Sequence, residues 1–119
     1  MRRQIKILNT ILYCQHWPEA VAFYRDGLGF AITVETDWFV EFELNPGARL
    51  SVADEARTTI KSAEGRGLTL TFQVAQADRI WQRLAGRGLE VGPVRDHPWG
   101  GRAFFLFDPE GNRLEVWSS

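Results

Sequence analysis

A chain of 119 residues, 45% hydrophobic and 24% charged, fits one globular domain, and it can bury roughly two thirds of its unfolded surface. Its 14 basic residues against 15 acidic ones give a net charge of −1, without the basic excess that a phosphate backbone attracts, so no nucleic-acid partner is expected. The single cysteine, Cys14, has no internal disulfide partner, and no apolar run approaches the length of a membrane span.

At the start of the chain, Arg2 and Arg3 have the character of a signal n-region. Lys6 and Asn9 interrupt the apolar stretch that should follow, and no small-residue cleavage site comes after it. A cytoplasmic location and no membrane partner are expected. "KILNTILYC" (6–14) is rich in β-formers and predicts a strand. "HWPEAVAFYRDGLG" (16–29) changes period: Pro18 and Glu19 suit a first helical turn, Ala20, Phe23, Tyr24 and Leu28 share a face, and Gly27 and Gly29 stop the helix. Three short strands follow, "FAITVET" (30–36), "WFVEFEL" (38–44) and "ARLSVA" (48–53), with "NPG" (45–47) as a turn.

The polar segment 54–67 has no clear period and reads as a connection. "LTLTFQV" (68–74) alternates strictly and predicts a strand. "AQADRIWQRLAGRG" (75–88) predicts a helix with Ile80, Trp81 and Leu84 inward. Residues 89–101 form an extended, Pro-broken strand and loop. "RAFFLFD" (102–108), the turn "PEGN" and "RLEVW" (113–117) complete the chain. In that turn Pro109 presets φ and Gly111 supplies a positive φ, a structural role.

The order strand, helix, three strands therefore occurs twice. "LNTILYC" (8–14) lies against "LTLTFQV" (68–74), and "PGARLSVA" (46–53) against "EGNRLEVW" (110–117). The expected fold class is α+β, with two βαβββ modules in one domain spanning 1–119. Module 1 covers about 5–53, the connection about 54–67, and module 2 about 68–119. A unit this short cannot bury its sheet alone, so the modules are expected to pack together.

The paired βαβββ pattern, "FYRDGLGF" (23–30) and "PWGGRAFFLFDPEGNRLEVW" (98–117) resemble the vicinal oxygen chelate superfamily, which includes glyoxalase I, extradiol dioxygenases, fosfomycin resistance enzymes and bleomycin resistance proteins. The resemblance covers nearly the whole chain and implies cupped mixed sheets around a pocket. It also implies that metal-using members carry ligands at positions falling here on Asn9, Ser51, Thr69 and Glu115. Nickel, zinc or iron sites are built from imidazole and carboxylate, whereas three of these positions hold an amide and two hydroxyls. A metal-free pocket with no cofactor is therefore expected, and a divalent metal only under an alternative reading.

Alternation places Thr69, Thr71 and Gln73 opposite Leu70 and Phe72, and Arg113, Glu115 and Trp117 opposite Leu114 and Val116. The polar set is expected to line the cup, with Glu115 held by donors among Asn9, Arg49, Arg113 and the hydroxyls. Arg49 and Arg113 occupy matching positions; pointing into the cup, they would favour an anionic ligand. Glu41 and Glu43 share a strand face, either for acid–base work or as an Arg-paired surface. His97 is either a loop histidine hydrogen-bonded near Pro98 or a contact at the pocket mouth. Trp38, Trp99 and Trp117 are candidate aromatic walls, while Trp17, Trp81 and Cys14 belong to the core.

Two functional readings result. The first is a protein that binds a small, partly aromatic or anionic molecule in a metal-free pocket, as bleomycin resistance proteins do. The second is a glyoxalase-like lyase or isomerase using Glu115 as base or metal ligand. By resemblance and from the exposed sheet edges, a homodimer is expected.

Overall fold

A computed structural model describes all residues 1–119. The first module runs β1 (Leu8–Cys14), α1 (Trp17–Ala22), a π-helical turn (Phe23–Gly27), β2 (Ala31–Glu35), β3 (Phe39–Asn45) and β4 (Ala48–Asp54). The second runs β5 (Thr69–Gln73), α2 (Ala77–Gly86), β6 (Arg95–Asp96), β7 (Arg102–Phe107) and β8 (Arg113–Ser118). Each module forms its own four-stranded sheet, ordered β1-β4-β3-β2 and β5-β8-β7-β6. The two orders are the same, so the repeat read in the sequence is a repeat of topology. By compactness the chain divides into residues 1–63 and 64–119.

In each module the first strand pairs in parallel with the last, Leu8↔Ala48 to Cys14↔Asp54 and Thr69↔Arg113 to Gln73↔Trp117. All other pairings are antiparallel. A parallel pair cannot be closed by a tight turn, which is why a helix follows the first strand of each module.

That helix covers one face of its sheet. In module 1, Leu12, Cys14, Val40, Phe42, Leu50 and Val52 are buried with Ala20, Val21 and Tyr24. The Trp17 indole Nε1 donates to the Val52 carbonyl at 2.9 Å, pinning α1 to β4. In module 2, Phe104, Leu106, Leu114 and Val116 are buried with Ala77 and Leu84. Here the Ala77 amide at the start of α2 donates to Ser118 Oγ at the end of β8. Cys14 is fully buried, as the alternation required.

The helix expected over 16–29 is instead a six-residue α-helix followed by the π turn, in which the Leu28 amide donates to the Phe23 carbonyl at 2.9 Å. Apolar spacing cannot register one wider turn. Tyr24 is fully buried there, edge-on to Phe23 and stacked on Phe30. The helix expected over 75–88 is shorter, because Gln76 is extended and Gly88 takes φ 86°. No helix is long and apolar enough to cross a membrane.

The turn between the last two strands is built on an Asx side chain in both modules. Asn45 Oδ1 accepts from the Gly47 amide at 3.0 Å. Buried Asp108 accepts from the amides of Glu110 and Asn112 and from Asn112 Nδ2, each at 2.9 Å, while Gly111 supplies φ 86°. These bonds fix the approach of β8 to β7. Asp108→Ala strips three donors of their acceptor in a buried turn, and a loss of about 1–3 kcal/mol is expected by urea unfolding.

Candidate functional site

The face of each sheet turned away from its helix carries the polar and aromatic side chains. On module 2, Thr69, Thr71, Arg113, Glu115 and Trp117 come from the parallel pair β5–β8, and Ala103, Phe105 and Phe107 from β7. Glu115 is half-buried and accepts from the Thr71 hydroxyl at 2.9 Å. Arg113 does not turn to Glu115, as one expectation had it. Its Nε donates to Thr69 Oγ1 at 3.0 Å, and its guanidinium lies 5.1 Å from the centre of the Phe105 ring. The register explains this: Thr69 is the direct partner of Arg113, so the shorter reach is across the strands.

The aromatic residues converge at the β6–β7 end of this face. The segment 97–101 is a tight turn, closed by His97 N–H to Gly101 O (2.8 Å) and Gly100 N–H to His97 O (2.9 Å), with Gly100 at φ 96°. It stacks the His97 ring on Trp99 at 5.4 Å and sets it edge-on to Phe105 at 6.4 Å. Trp99 in turn meets Trp117 edge-on at 5.3 Å. His97 thus lies within an aromatic cluster as well as in a backbone turn. Trp99 remains 54% exposed and Phe107 60% exposed. Beside them is a cleft of about 610 Å³, lined by Arg95, His97, Ala103, Phe105, Phe107 and the 90–93 segment. The cleft is framed because the Gly92 amide donates to the Phe105 carbonyl, carrying the edge beyond β6.

Arg102 fastens this edge to the helix. It donates to Asp78 at 2.8 and 3.2 Å and to Asp96 at 3.0 Å. The hydrogen bond from Arg102 holds the Asp78 carboxyl below its ordinary range, and Arg102 is raised by the same contacts. These groups are exposed and the pairs are weak individually.

On module 1 the same face holds a hydrogen-bonded chain. Buried Ser51 donates from Oγ to Asn9 Oδ1 at 2.9 Å, and Asn9 Nδ2 donates to Glu41 Oε1 at 3.3 Å. Thr33 Oγ1 lies 2.6 Å from Glu41 Oε2 and donates to it. Arg49 Nε approaches the same oxygen at 3.9 Å, while its Nη1 is spent on the carbonyls of Asn45 and Ala48. Glu41 therefore has the arginine neighbour considered for it. Trp38 lines a separate cavity of about 310 Å³ with Ile11, Tyr13, Phe39, Ala53 and residues 58–60.

Strand register aligns the two modules. Ser51 pairs with Glu41, and its counterpart Glu115 pairs with Phe105. One module thus carries its carboxylate on the third strand and the other on the last. Phe105, Phe107, Arg95 and Thr33 were not singled out in the sequence. Alternation through "RAFFLF" assigns Phe105 and Phe107 to the open face with Ala103, but a run of phenylalanines reads equally well as core. No group of three or more His, Cys, Asp or Glu side chains is placed to hold a metal ion.

The chain belongs to the Glyoxalase/Bleomycin resistance protein/Dioxygenase superfamily, whose family model matches residues 6–116. Among its relatives is the uncharacterized protein YwkD of Bacillus subtilis (strain 168), 29% identical over 93% of this chain and 94% of that one. Two solved structures share the fold. Lactoylglutathione lyase from Agrobacterium tumefaciens is 22% identical with a TM-score of 0.76, covering 95% of this chain and 92% of that chain. TnmS3, an antibiotic binding protein from Streptomyces sp. CB03234, is 21% identical with a TM-score of 0.75, covering 94% and 93%. One scaffold therefore carries a lyase in one protein and antibiotic binding in another, and the open faces must decide between such roles.

Gly101 is buried beneath Trp99, and a Cβ built there would fall inside the indole ring. Gly101→Ala should therefore displace Trp99 from Trp117 and not unfold the module. The expected signature is loss of near-ultraviolet circular dichroism from the tryptophan pair, with the far-ultraviolet spectrum retained.

Proposed function

We propose that this protein binds a small, flat aromatic or anionic molecule on the open face of module 2, without a metal or other cofactor. The observation that carries the reading is the cluster His97–Trp99–Trp117 with Phe105, set beside a cleft of about 610 Å³. That volume is in the usual range for small-molecule sites, and aromatic walls with few polar groups suit a flat ligand. Arg95 lines the cleft, and Arg113, stacked on Phe105, supplies a second cation for a carboxylate or related anion. The antibiotic-binding neighbour supports binding as a role for this fold.

The donor chemistry argues against a metal. Of Asn9, Ser51, Thr69 and Glu115, only Glu115 is a carboxylate and none is an imidazole; each is engaged in hydrogen bonds within its own module. Glu115, oriented by Thr71, presents an acceptor to the ligand. The protein acts in the cytoplasm as a homodimer on this reading, with the outer strands β1, β2, β5 and β6 leaving sheet edges to cover.

The test is elemental analysis of protein expressed with nickel, zinc, iron, cobalt and manganese supplied, with Glu115→Gln in parallel. Substoichiometric metal in both is expected, and light scattering on the same preparation should give twice the chain mass. Near-stoichiometric metal that disappears in Glu115→Gln would replace this reading with a glyoxalase-like lyase.

A further inference from the structure

The open face of module 1 carries a polar network that the proposal above does not use. Its centre is Glu41, whose side chain is 22% exposed. The chain of bonds Ser51→Asn9→Glu41 has a direction. Ser51 can donate only because Asn9 turns its carbonyl oxygen toward it, and this turns the Asn9 amide nitrogen toward Glu41. The chain of donors thus runs from Ser51 through Asn9 and ends on the carboxylate.

The backbone of β2 makes the same provision. The β2–β3 register shifts between Ile32 and Val34, leaving Thr33 outside the ladder. The bulge sets Thr33 and Val34 together against Glu41, and the Thr33 hydroxyl ends 2.6 Å from Glu41 Oε2.

A carboxylate accepts about four hydrogen bonds. Asn9 and Thr33 take one each, and Arg49 stands at 3.9 Å with its Nη1 committed to backbone carbonyls. Glu41 keeps acceptor capacity on its exposed side. Glu43 lies two residues further along β3 from Phe39 than Glu41 does and is not part of the cavity lining.

The cavity of about 310 Å³ adjoins the network. Phe39 lies two residues from Glu41 on β3, Ala53 two from Ser51 on β4, and Ile11 two from Asn9 on β1. Two residues along a strand span about 7 Å. Trp38, Tyr13 and Phe39 supply the apolar walls.

We infer that Glu41 and this cavity form a second binding site, on module 1, for a small molecule with an apolar, ring-sized body and an ammonium group about two carbons away. The body fills the space between Trp38, Phe39 and Tyr13, and the ammonium donates to Glu41. Its ligand carries the opposite charge to the anion proposed for module 2.

The test uses phenethylammonium as probe and phenylpropanoate as its anionic counterpart, titrated into isotope-labelled protein and followed by amide shifts. Phenethylammonium should saturably shift Ile11, Tyr13, Phe39, Glu41 and Ala53, and bind more tightly there than phenylpropanoate. Glu41→Gln, which keeps the shape and removes the charge, should weaken it about tenfold, the scale of one charge-assisted hydrogen bond. Glu43→Gln should change it by about twofold or less, since Glu43 stands two residues farther from the cavity along β3 than Glu41. Thr33→Val, which loses only the aiming hydroxyl, should fall between the two and gives an independent reading should Glu41→Gln fail to fold. The inference is overturned if those amides do not shift, if phenylpropanoate binds there equally well, or if Glu43→Gln weakens the probe as much as Glu41→Gln or Thr33→Val does.

Discussion

The parallel pairing of first and last strand sets what each module can present. It places Asn9 beside Arg49 and Thr69 beside Arg113, and brings Ile11 to Ser51 and Thr71 to Glu115. Because side chains alternate across a strand, committing Leu12, Leu50 and Val52, or Leu114 and Val116, to the helix side leaves these neighbours on the open face. A one-residue slip of β8 would bury Glu115 under α2 and expose Leu114. The hydrophobic side therefore fixes the position of the chemistry on the other side.

Within that shared frame the modules have diverged in opposite directions. The last-strand position is Ser51 in one and Glu115 in the other, and the third-strand position beside it is Glu41 in one and Phe105 in the other. Arg49 and Arg113 match in sequence, yet one is drawn into its turn carbonyls and toward Glu41 while the other lies on a phenylalanine ring. The result is an acidic, hydrogen-bonded face on module 1 and a cationic, aromatic face on module 2. Equal backbones with unequal faces are what a scaffold offers when site residues change without disturbing the core.

Much of this was legible in the sequence because it depends on period and punctuation. The strict alternation of "LTLTFQV" and the turn "DPEGN" marked their elements directly, and the repeat of "ARLSVA" in "NRLEVW" revealed the second module. The π turn after Ala22 was not legible, since one wider turn leaves the apolar spacing almost unchanged. Nor was the bulge at Thr33, because "AITVE" reads as an ordinary strand. The partners of Arg49 and Arg113 also depended on register, which sequence alone does not supply. Trp99 and His97 could be placed on a loop, but their stacking follows from the turn over Gly100 and Gly101.

The central claim is that the aromatic, cationic face of module 2 holds a small molecule. Its most direct test is a titration of isotope-labelled protein with naphthoate, a flat aromatic carboxylate, followed by the amide and indole signals. The account predicts saturable shifts at Arg95, Phe105, Phe107 and Trp117 and at the indoles of Trp99 and Trp117. Shifts that are absent, unsaturable or confined to residues outside that face would contradict it.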